Sequence, residues 1–211
     1  MRREERENTD LWLYERMVLA QGHRVVAGVD EAGRGPLAGP VVAVAVVLPL
    51  DCDTHGIYDS KQLPPRKREA AFEKISSLAL GIGIGIVDQN EIDRMNILQA
   101  TYRAMRGAIG GLDMGVDAVL VDGYPIRDFH LPQMGITSGD TKSASIAAAS
   151  IVAKVTRDRI MCKYHDIFPQ YGFAKHKGYP TEEHIEKLAA HGVCEIHRRS
   201  FAPVARELGL R

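Results

Sequence analysis

The segment from Val41 to Leu48, VVAVAVVL, is the feature that most narrows the folds open to this chain. β-Branched valines favour a strand, and an uninterrupted apolar run indicates a strand that is buried on both faces. Both faces of a sheet are covered only when other layers of secondary structure pack against each of them. The segment therefore predicts a central strand in a layered α/β or α+β fold.

Four further segments have strand character, and helical patterns alternate with them along the chain. The link between the first strand and VVAVAVVL is too short for a parallel crossover, so we expect these two strands to be antiparallel. The pattern predicts a mixed sheet flanked by helices, with a C-terminal helical region at about 180–211 in which Thr181 is a helix N-cap. The other strands are predicted at 24–29, 81–87, 116–122 and 128–137, and the other helices at 11–21, 64–80, 90–110 and 142–166.

Length and composition indicate one globular unit in a reducing compartment. The 211 residues suit a single domain over 1–211, and 45% hydrophobic residues are enough for a real core. No apolar run approaches the roughly 18 to 20 residues that a membrane span needs, and the charged start MRREERENTD leads into no secretory segment. Cys52, Cys162 and Cys194 are far apart and form no Cys-x-x-Cys pair. We therefore expect a cytoplasmic protein with no membrane partner, and a monomer.

Charge is distributed unevenly although the net charge is zero. The part from Thr141 onward has a balance of +5, and the part before it has a balance of −5. A basic region beside an acidic cluster can hold a polyanion next to bound divalent metal. Chance asymmetry is the alternative explanation at this point.

Acidic residues follow two predicted strands and precede the longest predicted helix. Asp30 and Asp122 lie at strand ends, where the ligand sites of open α/β sheets gather, and Asp140 lies just before the helix at 142–166. Asp140 could instead be a helix-capping residue, since negative charge is favourable at a helix N-terminus. Asp122, followed by Gly123, could instead be a turn residue.

The stretch VDEAGRGP places Asp30 and Glu31 side by side, followed by Gly33-Arg34-Gly35. Adjacent anions after a buried strand repel each other and need cations nearby. Carboxylates without histidine or cysteine partners favour Mg²⁺ or Mn²⁺ over zinc. Two such ions can clamp the attacking and leaving oxygens of an in-line phosphoryl displacement. The glycines flanking Arg34 suit a close approach of the backbone to a ligand.

Four segments together resemble the signature sequences of bacterial type 2 ribonuclease H, ribonuclease HII. They are GVDEAGRGPLAGPVV, VDG, GDTKSASIAAASIVAKVTRDR and YGFAKHKGYPTEEH, and the similarity extends to HRRSFAP near the end. The resemblance implies a ribonuclease H-like mixed five-stranded sheet with a C-terminal helical region. It also implies an endonuclease that hydrolyses the RNA strand of RNA/DNA hybrids and nicks duplex DNA 5′ of single embedded ribonucleotides, a reaction of ribonucleotide excision repair. Two divalent ions, Mg²⁺ or Mn²⁺, would leave a 3′-hydroxyl and a 5′-phosphate.

The resemblance also implies roles for individual residues. Its four metal-binding, catalytic acids match Asp30, Glu31, Asp122 and Asp140. The turn whose backbone contacts the ribose 2′-hydroxyl matches Gly33, Arg34 and Gly35, and the tyrosine that works with that turn matches Tyr179. Without the resemblance, Tyr179 would be interpreted as a loop residue that is half-buried for packing.

Basic residues are candidates for phosphate contacts. Lys61 and Lys142 are the preferred pair because each follows an acidic turn, and Lys154, Arg157, Lys175 and Lys177 are further candidates. Two other functions compete with the nuclease. One is a non-catalytic module that binds hybrid duplexes, against which the clustered acids argue, and the other is a small-nucleotide phosphohydrolase, which would need an aromatic base pocket.

Overall fold

The computed structural model describes residues 10–58, 60 and 63–210. Strands and helices alternate through the first two thirds of the described chain, and helices fill the rest. The strands are β1 (Val26–Ala32), β2 (Val41–Val47), β3 (Gly81–Val87), β4 (Ala118–Asp122) and β5 (Gln133–Ile136). The helices are α1 (Leu13–Ala20), α2 (Pro65–Leu78), α3 (Gln89–Met95), α4 (Ile97–Gly110), α5 (Ala144–Ile167), α6 (Phe173–His176), α7 (Glu182–His191) and α8 (Ala202–Glu207), with 3₁₀ turns at Gly139–Thr141 and Pro169–Tyr171.

The five strands form one mixed sheet in the order β3-β2-β1-β4-β5. β2 is antiparallel to both β1 and β3, whereas β4 is parallel to β1 and to β5. The predicted mixed five-stranded sheet and the antiparallel first pair are therefore confirmed. A C-terminal helical region is also present, and the Thr181 side chain caps α7 by accepting a hydrogen bond from the His184 amide at 3.2 Å.

β2 lies at the centre of two hydrophobic layers, as its sequence predicts. Every residue of this strand is buried. Side chains from Val41 onward point alternately to the two faces of the sheet: one set packs with α4 and the other with α2 and α5. The apolar run needs no polar face because helices cover it on both sides.

Close approach of the helices to the sheet depends on glycine at two positions. A Cβ atom at Gly28 in β1 would lie 2.1 Å from the main-chain carbon of Ser145 in α5. On the opposite face, a Cβ atom at Gly85 in β3 would lie 1.9 Å from the Ala104 carbonyl oxygen in α4. Contacts this short would force the helices away from the sheet, so the missing side chains set the spacing of both layers.

Two sequence predictions need correction. β1 does not end at 29 but continues to Ala32, so that Asp30 and Glu31 lie inside the strand and pair with Val44 and Ala43 of β2. The helix predicted at 90–110 is two helices, because Asn96 has a φ of +72° and its side chain caps the second one. No helix in the described ranges is long and apolar enough to cross a membrane.

Candidate active site

The register of two parallel strands brings Asp30 and Asp122 together. Gly28 pairs with Leu120 and Val29 with Val121, so Asp30 and Asp122 are the next residues at the carboxyl ends of neighbouring strands. Side chains two positions apart in a strand share a face. Asp30 and Asp122 therefore lie on the face that carries Gly28 and packs against α5. The parallel pairing of β1 and β4 therefore brings the two carboxylates to the same edge of the sheet.

Asp30 is buried among like charges. Its side chain is only 4% exposed, and Oδ1 accepts a hydrogen bond from the Glu31 amide at 2.7 Å. Burial, the Glu31 carboxylate and the Asp122 carboxylate raise the pKa of Asp30 well above its usual value, while hydrogen bonds from Ser150 and the Glu31 amide act in the opposite direction. A cation at this position would relieve both the burial cost and the repulsion.

Asp140 reaches the same neighbourhood through the 3₁₀ turn before α5. The Gly139 amide donates to Asp122 Oδ1 at 2.7 Å, which joins this turn directly to the end of β4. Ser143, not Asp140, caps α5, since its side chain accepts from the Ile146 amide. Asp140 is nevertheless buried. Asp140 is therefore not the cap of α5, and the Asp122 carboxylate accepts a hydrogen bond from a segment 17 residues further along the chain.

The donor chemistry of the acids fits a hard divalent cation. All candidate ligands are carboxylate oxygens, the atoms that Mg²⁺ and Mn²⁺ prefer, and Arg34 Nη1 contacts Glu31 Oε1 at 3.2 Å at the rim. Among the described residues, no three histidine, cysteine, aspartate or glutamate side chains already form a metal-binding group. The fit therefore rests on the oxygen donors and on the repulsion at Asp30, not on a preformed ligand shell.

A groove of about 510 Å³ opens beside Glu31. The Gly33–Gly35 turn forms one wall, and Tyr179, which is 39% exposed, forms another. A Cβ atom added to Gly35 would lie 3.7 Å from Tyr179 Cε1, so the ring lies directly on the turn. Ser150 and Lys154 on α5 also line the groove, and Ser150 hydrogen-bonds to Asp30. The turn and the tyrosine are thus neighbours of Glu31, and of Asp30 through Ser150.

The basic candidates separate into different groups. Lys61 lies outside the described residues. Lys142 follows the Asp140 turn and donates to the Thr137 carbonyl at 2.7 Å, and Lys154 forms an ion pair with Asp158 at 2.7 Å. The prediction that Arg157 contacts phosphate is wrong, because its side chain is 1% exposed and, among the described residues, donates to three backbone carbonyls.

Several residues of the site carried no recognisable signal in the sequence. Ser150 is one small residue among the alanines of α5, yet its hydroxyl hydrogen-bonds to Asp30 and lies 2.9 Å from the Ser60 hydroxyl. Arg68 Nε donates to the Ser60 carbonyl at 2.8 Å and so fixes this part of the groove wall. Arg198 lies under the turn. The sequence places two adjacent arginines in HRRSFAP, but it does not show which of the two is buried.

The architecture and the acidic edge define a nuclease of the ribonuclease H class. Solved structures with the same fold include ribonuclease H2 from Pyrococcus horikoshii OT3, with a TM-score of 0.74 and 28% identity over 87% of this chain and 97% of the other. Bst-RNase HIII in complex with Mn²⁺ has a TM-score of 0.65 over 88% of this chain and 70% of the other, and at 17% identity it shows the fold alone.

Sequence relatives give the family. The model for ribonuclease HII matches residues 27–204. Ribonuclease HII from Geobacter metallireducens is 54% identical over 92% of this chain and 91% of its own length, and that from Acetivibrio thermocellus is 51% identical over 91% and 75%. The chain belongs to the ribonuclease HII family. It is a ribonuclease H hydrolase, an endonuclease of RNA/DNA hybrids, and this prediction from the sequence is confirmed.

Proposed function

We propose that this endonuclease, besides hydrolysing the RNA strand of hybrids, nicks duplex DNA on the 5′ side of a single ribonucleotide and leaves a 3′-hydroxyl and a 5′-phosphate. The observation that carries the proposal is the placement of the Gly33–Gly35 turn and Tyr179 in one groove with Glu31, next to Asp30 in β1. Residues that recognise a single ribose must lie next to the phosphodiester bond that is cut. The groove places the turn and Tyr179 next to Glu31, one of the acids proposed to act on that bond.

Asp30, Glu31, Asp122 and Asp140 are the proposed ligands of Mg²⁺ or Mn²⁺. Two such ions, when bound, supply an activated water and stabilise the leaving 3′-oxygen. The protein contributes the geometry: β1 and β4 hold Asp30 and Asp122 side by side, and the Gly139 hydrogen bond holds the Asp140 turn against Asp122. The neighbouring carboxylates keep the site strongly attractive to cations.

Substrate selection is assigned to the backbone of Gly33, Arg34 and Gly35 together with the Tyr179 ring. The 2′-hydroxyl is the group that distinguishes a ribonucleotide from a deoxyribonucleotide. Backbone amides can donate to it, and an aromatic ring can pack on the adjacent sugar. Lys61 and Lys142 are proposed phosphate contacts that give salt-dependent affinity without sequence preference.

The setting of the activity is part of the same proposal. We infer one catalytic unit over 1–211 that acts as a cytoplasmic monomer in ribonucleotide excision repair. Packing supports the single unit: α1 is anchored to α5 through Glu15, and the C-terminal segment is anchored to the Gly33 turn through Arg198.

The experiment uses a DNA duplex with one ribonucleotide, incubated with and without Mg²⁺ or Mn²⁺. We expect one nick, 5′ of the ribonucleotide and dependent on the ion, which Asp122→Asn abolishes. Asp128→Asn is the matched control, because it removes one negative charge from an exposed residue with a φ of +52° that asparagine tolerates. Binding without nicking would instead support a non-catalytic hybrid-binding module.

A further inference from the structure

Two arginines are buried beneath the Gly33–Gly35 turn without an acidic partner. Arg157 is 1% exposed and Arg198 is 0% exposed, and neither forms an ion pair with any described residue. Burial is the main reason that the pKa falls to about 10 for Arg157 and about 9 for Arg198. An unpaired buried charge is expensive, so these side chains need a compensating role.

Arg198 directs all three of its hydrogen-bonding nitrogens to the turn and its exit. Nη2 donates to the Gly33 carbonyl at 2.6 Å, Nη1 to the Arg34 carbonyl at 3.0 Å, and Nε to the Gly39 carbonyl at 2.9 Å. A planar guanidinium can span three separate acceptors in this way. A lysine ammonium, as a point donor on a flexible stem, cannot reproduce the arrangement.

Holding these carbonyls fixes the direction of two backbone amides. The described chain contains no cis peptide bond, and in a planar trans peptide the N–H points opposite to the carbonyl. With the carbonyls of Gly33 and Arg34 turned toward buried Arg198, the amides of Arg34 and Gly35 face away from it, toward the groove. Neither amide donates to another described residue, so both are available to a ligand.

Arg157 connects the same turn to the segment that carries Tyr179. Its nitrogens donate to the carbonyls of Ala38, Pro40 and Lys177 at 3.0–3.1 Å. Gly33 has a φ of +101°, and a Cβ atom there would lie 2.2 Å from Arg157 Nε. Arg157 therefore connects the turn and the chain that follows it to the segment preceding Tyr179.

We propose that Arg198, supported by Arg157, is a positioning residue that aims the Arg34 and Gly35 amides at the ribose 2′-oxygen and thereby sets the preference for a ribonucleotide. This inference rests on the proposed function, because it specifies how the turn distinguishes the two sugars. Arg198 touches neither the substrate nor the metals and acts only through the backbone of the turn.

The test compares the affinity of the protein for two duplexes of the same sequence, one with a single ribonucleotide and one of DNA only. Ca²⁺ replaces Mg²⁺ so that binding is measured without cleavage, and gels check that the strands stay intact. Wild type should prefer the ribonucleotide duplex. Arg198→Lys should reduce this preference about tenfold or abolish it. Its affinity for the DNA duplex should stay within about twofold of the wild-type value. Arg199→Lys, an exposed neighbour, is the matched control and should behave as wild type.

Two further measurements cover the case in which Arg198→Lys does not fold. Arg157→Lys should also reduce the preference, and in wild type the ¹⁵N–¹H resonances of Arg34 and Gly35 should shift with the ribonucleotide duplex and not with DNA alone. An unchanged preference, or equal loss of both affinities in a folded variant, overturns the inference. If wild type with Mg²⁺ fails to nick the ribonucleotide duplex, the proposed function fails instead.

Discussion

Asp30, a proposed metal ligand, lies where a carboxylate works against folding. A buried carboxylate beside Glu31 and Asp122 destabilises the protein when no cation is present, because burial and like charge both disfavour its ionised form. The same repulsion becomes an attraction once a divalent ion binds. We therefore expect stability and metal binding to be linked at this residue.

Asp30→Asn tests that linkage by thermal unfolding. In metal-free buffer at neutral pH the variant should melt at the same temperature as wild type or higher, because one buried negative charge is removed. Adding Mn²⁺ should raise the melting temperature of wild type, since a ligand that binds only the folded state stabilises it, and should raise that of the variant much less. An equal rise in both proteins would contradict the assignment, and Asp128→Asn should respond as wild type.

Tyr179 is a second residue whose replacement separates recognition from folding. Its ring is partly exposed and lies 5.8 Å from both Lys154 Nζ and the Arg157 guanidinium. Tyr179→Ala should lower the rate on the single-ribonucleotide duplex by at least tenfold, about 1.4 kcal/mol of transition-state stabilisation. It should cost little more stability than Tyr124→Ala, which alters a side chain that is 82% exposed. Parallel losses of activity and melting temperature would count against a recognition role.

At the scale of elements, helix α1 does more than cover the core. Glu15 Oε1 accepts hydrogen bonds from the Ser143 hydroxyl at 2.6 Å, the Ser145 hydroxyl at 2.6 Å and the Ser145 amide at 3.0 Å. The carboxylate thus lies at the N-terminus of α5, where negative charge is stabilised. Because the Asp140 turn immediately precedes α5, this contact also supports one wall of the active site.

Replacing Glu15 measures how much its hydrogen bonds to Ser143 and Ser145 contribute to the free energy of unfolding. Glu15→Ala leaves buried donors unpaired and should lower the free energy of unfolding by about 2–3 kcal/mol, as measured by urea denaturation. Glu15→Gln keeps an acceptor oxygen of the same reach and should cost clearly less. If the two variants were equally stable, the hydrogen bonds to Ser143 and Ser145 would not be the source of the effect.

At the scale of the whole molecule, a buried histidine chain ties the C-terminal segment to the Tyr179 loop. His184 Nδ1 donates to the Tyr179 carbonyl at 2.9 Å, so its Nε2 accepts from His197 Nε2 at 3.2 Å. His197 Nδ1 in turn accepts from the Cys194 amide at 3.0 Å. This chain requires neutral rings. Burial, with the neighbouring histidines, lowers the pKa of both His184 and His197 to about 4.

The pH dependence of stability follows with a definite sign. Unfolded histidines titrate near 6.5, so below that pH the unfolded state binds more protons than the folded state, and stability falls as the pH decreases toward 4. In urea unfolding from pH 7 to 4.5, wild type should lose more stability than His197→Gln. Comparing the two at each pH cancels the opposite contribution of Asp30. An equal slope in both would contradict the prediction, and the exposed His130→Gln should match wild type.

Local sequence patterns are enough to predict most of the strands and helices. VVAVAVVL and GIGIGIV are correctly predicted as strands because burial and alternation depend on neighbouring residues. The family is evident because its motifs are contiguous in the sequence. The break at Asn96 was missed because a left-handed backbone at one asparagine leaves the helical pattern around it intact.

Which residues meet depends on how segments far apart in the chain pack together. The parallel register of β1 and β4 brings Asp122 beside Asp30, and packing of the C-terminal segment buries Arg198 while leaving Arg199 exposed. Both outcomes depend on contacts between segments far apart in the chain. Burial and charge repulsion are properties of the assembled neighbourhood, so no local pattern distinguishes a phosphate-binding arginine from one that holds a turn in place.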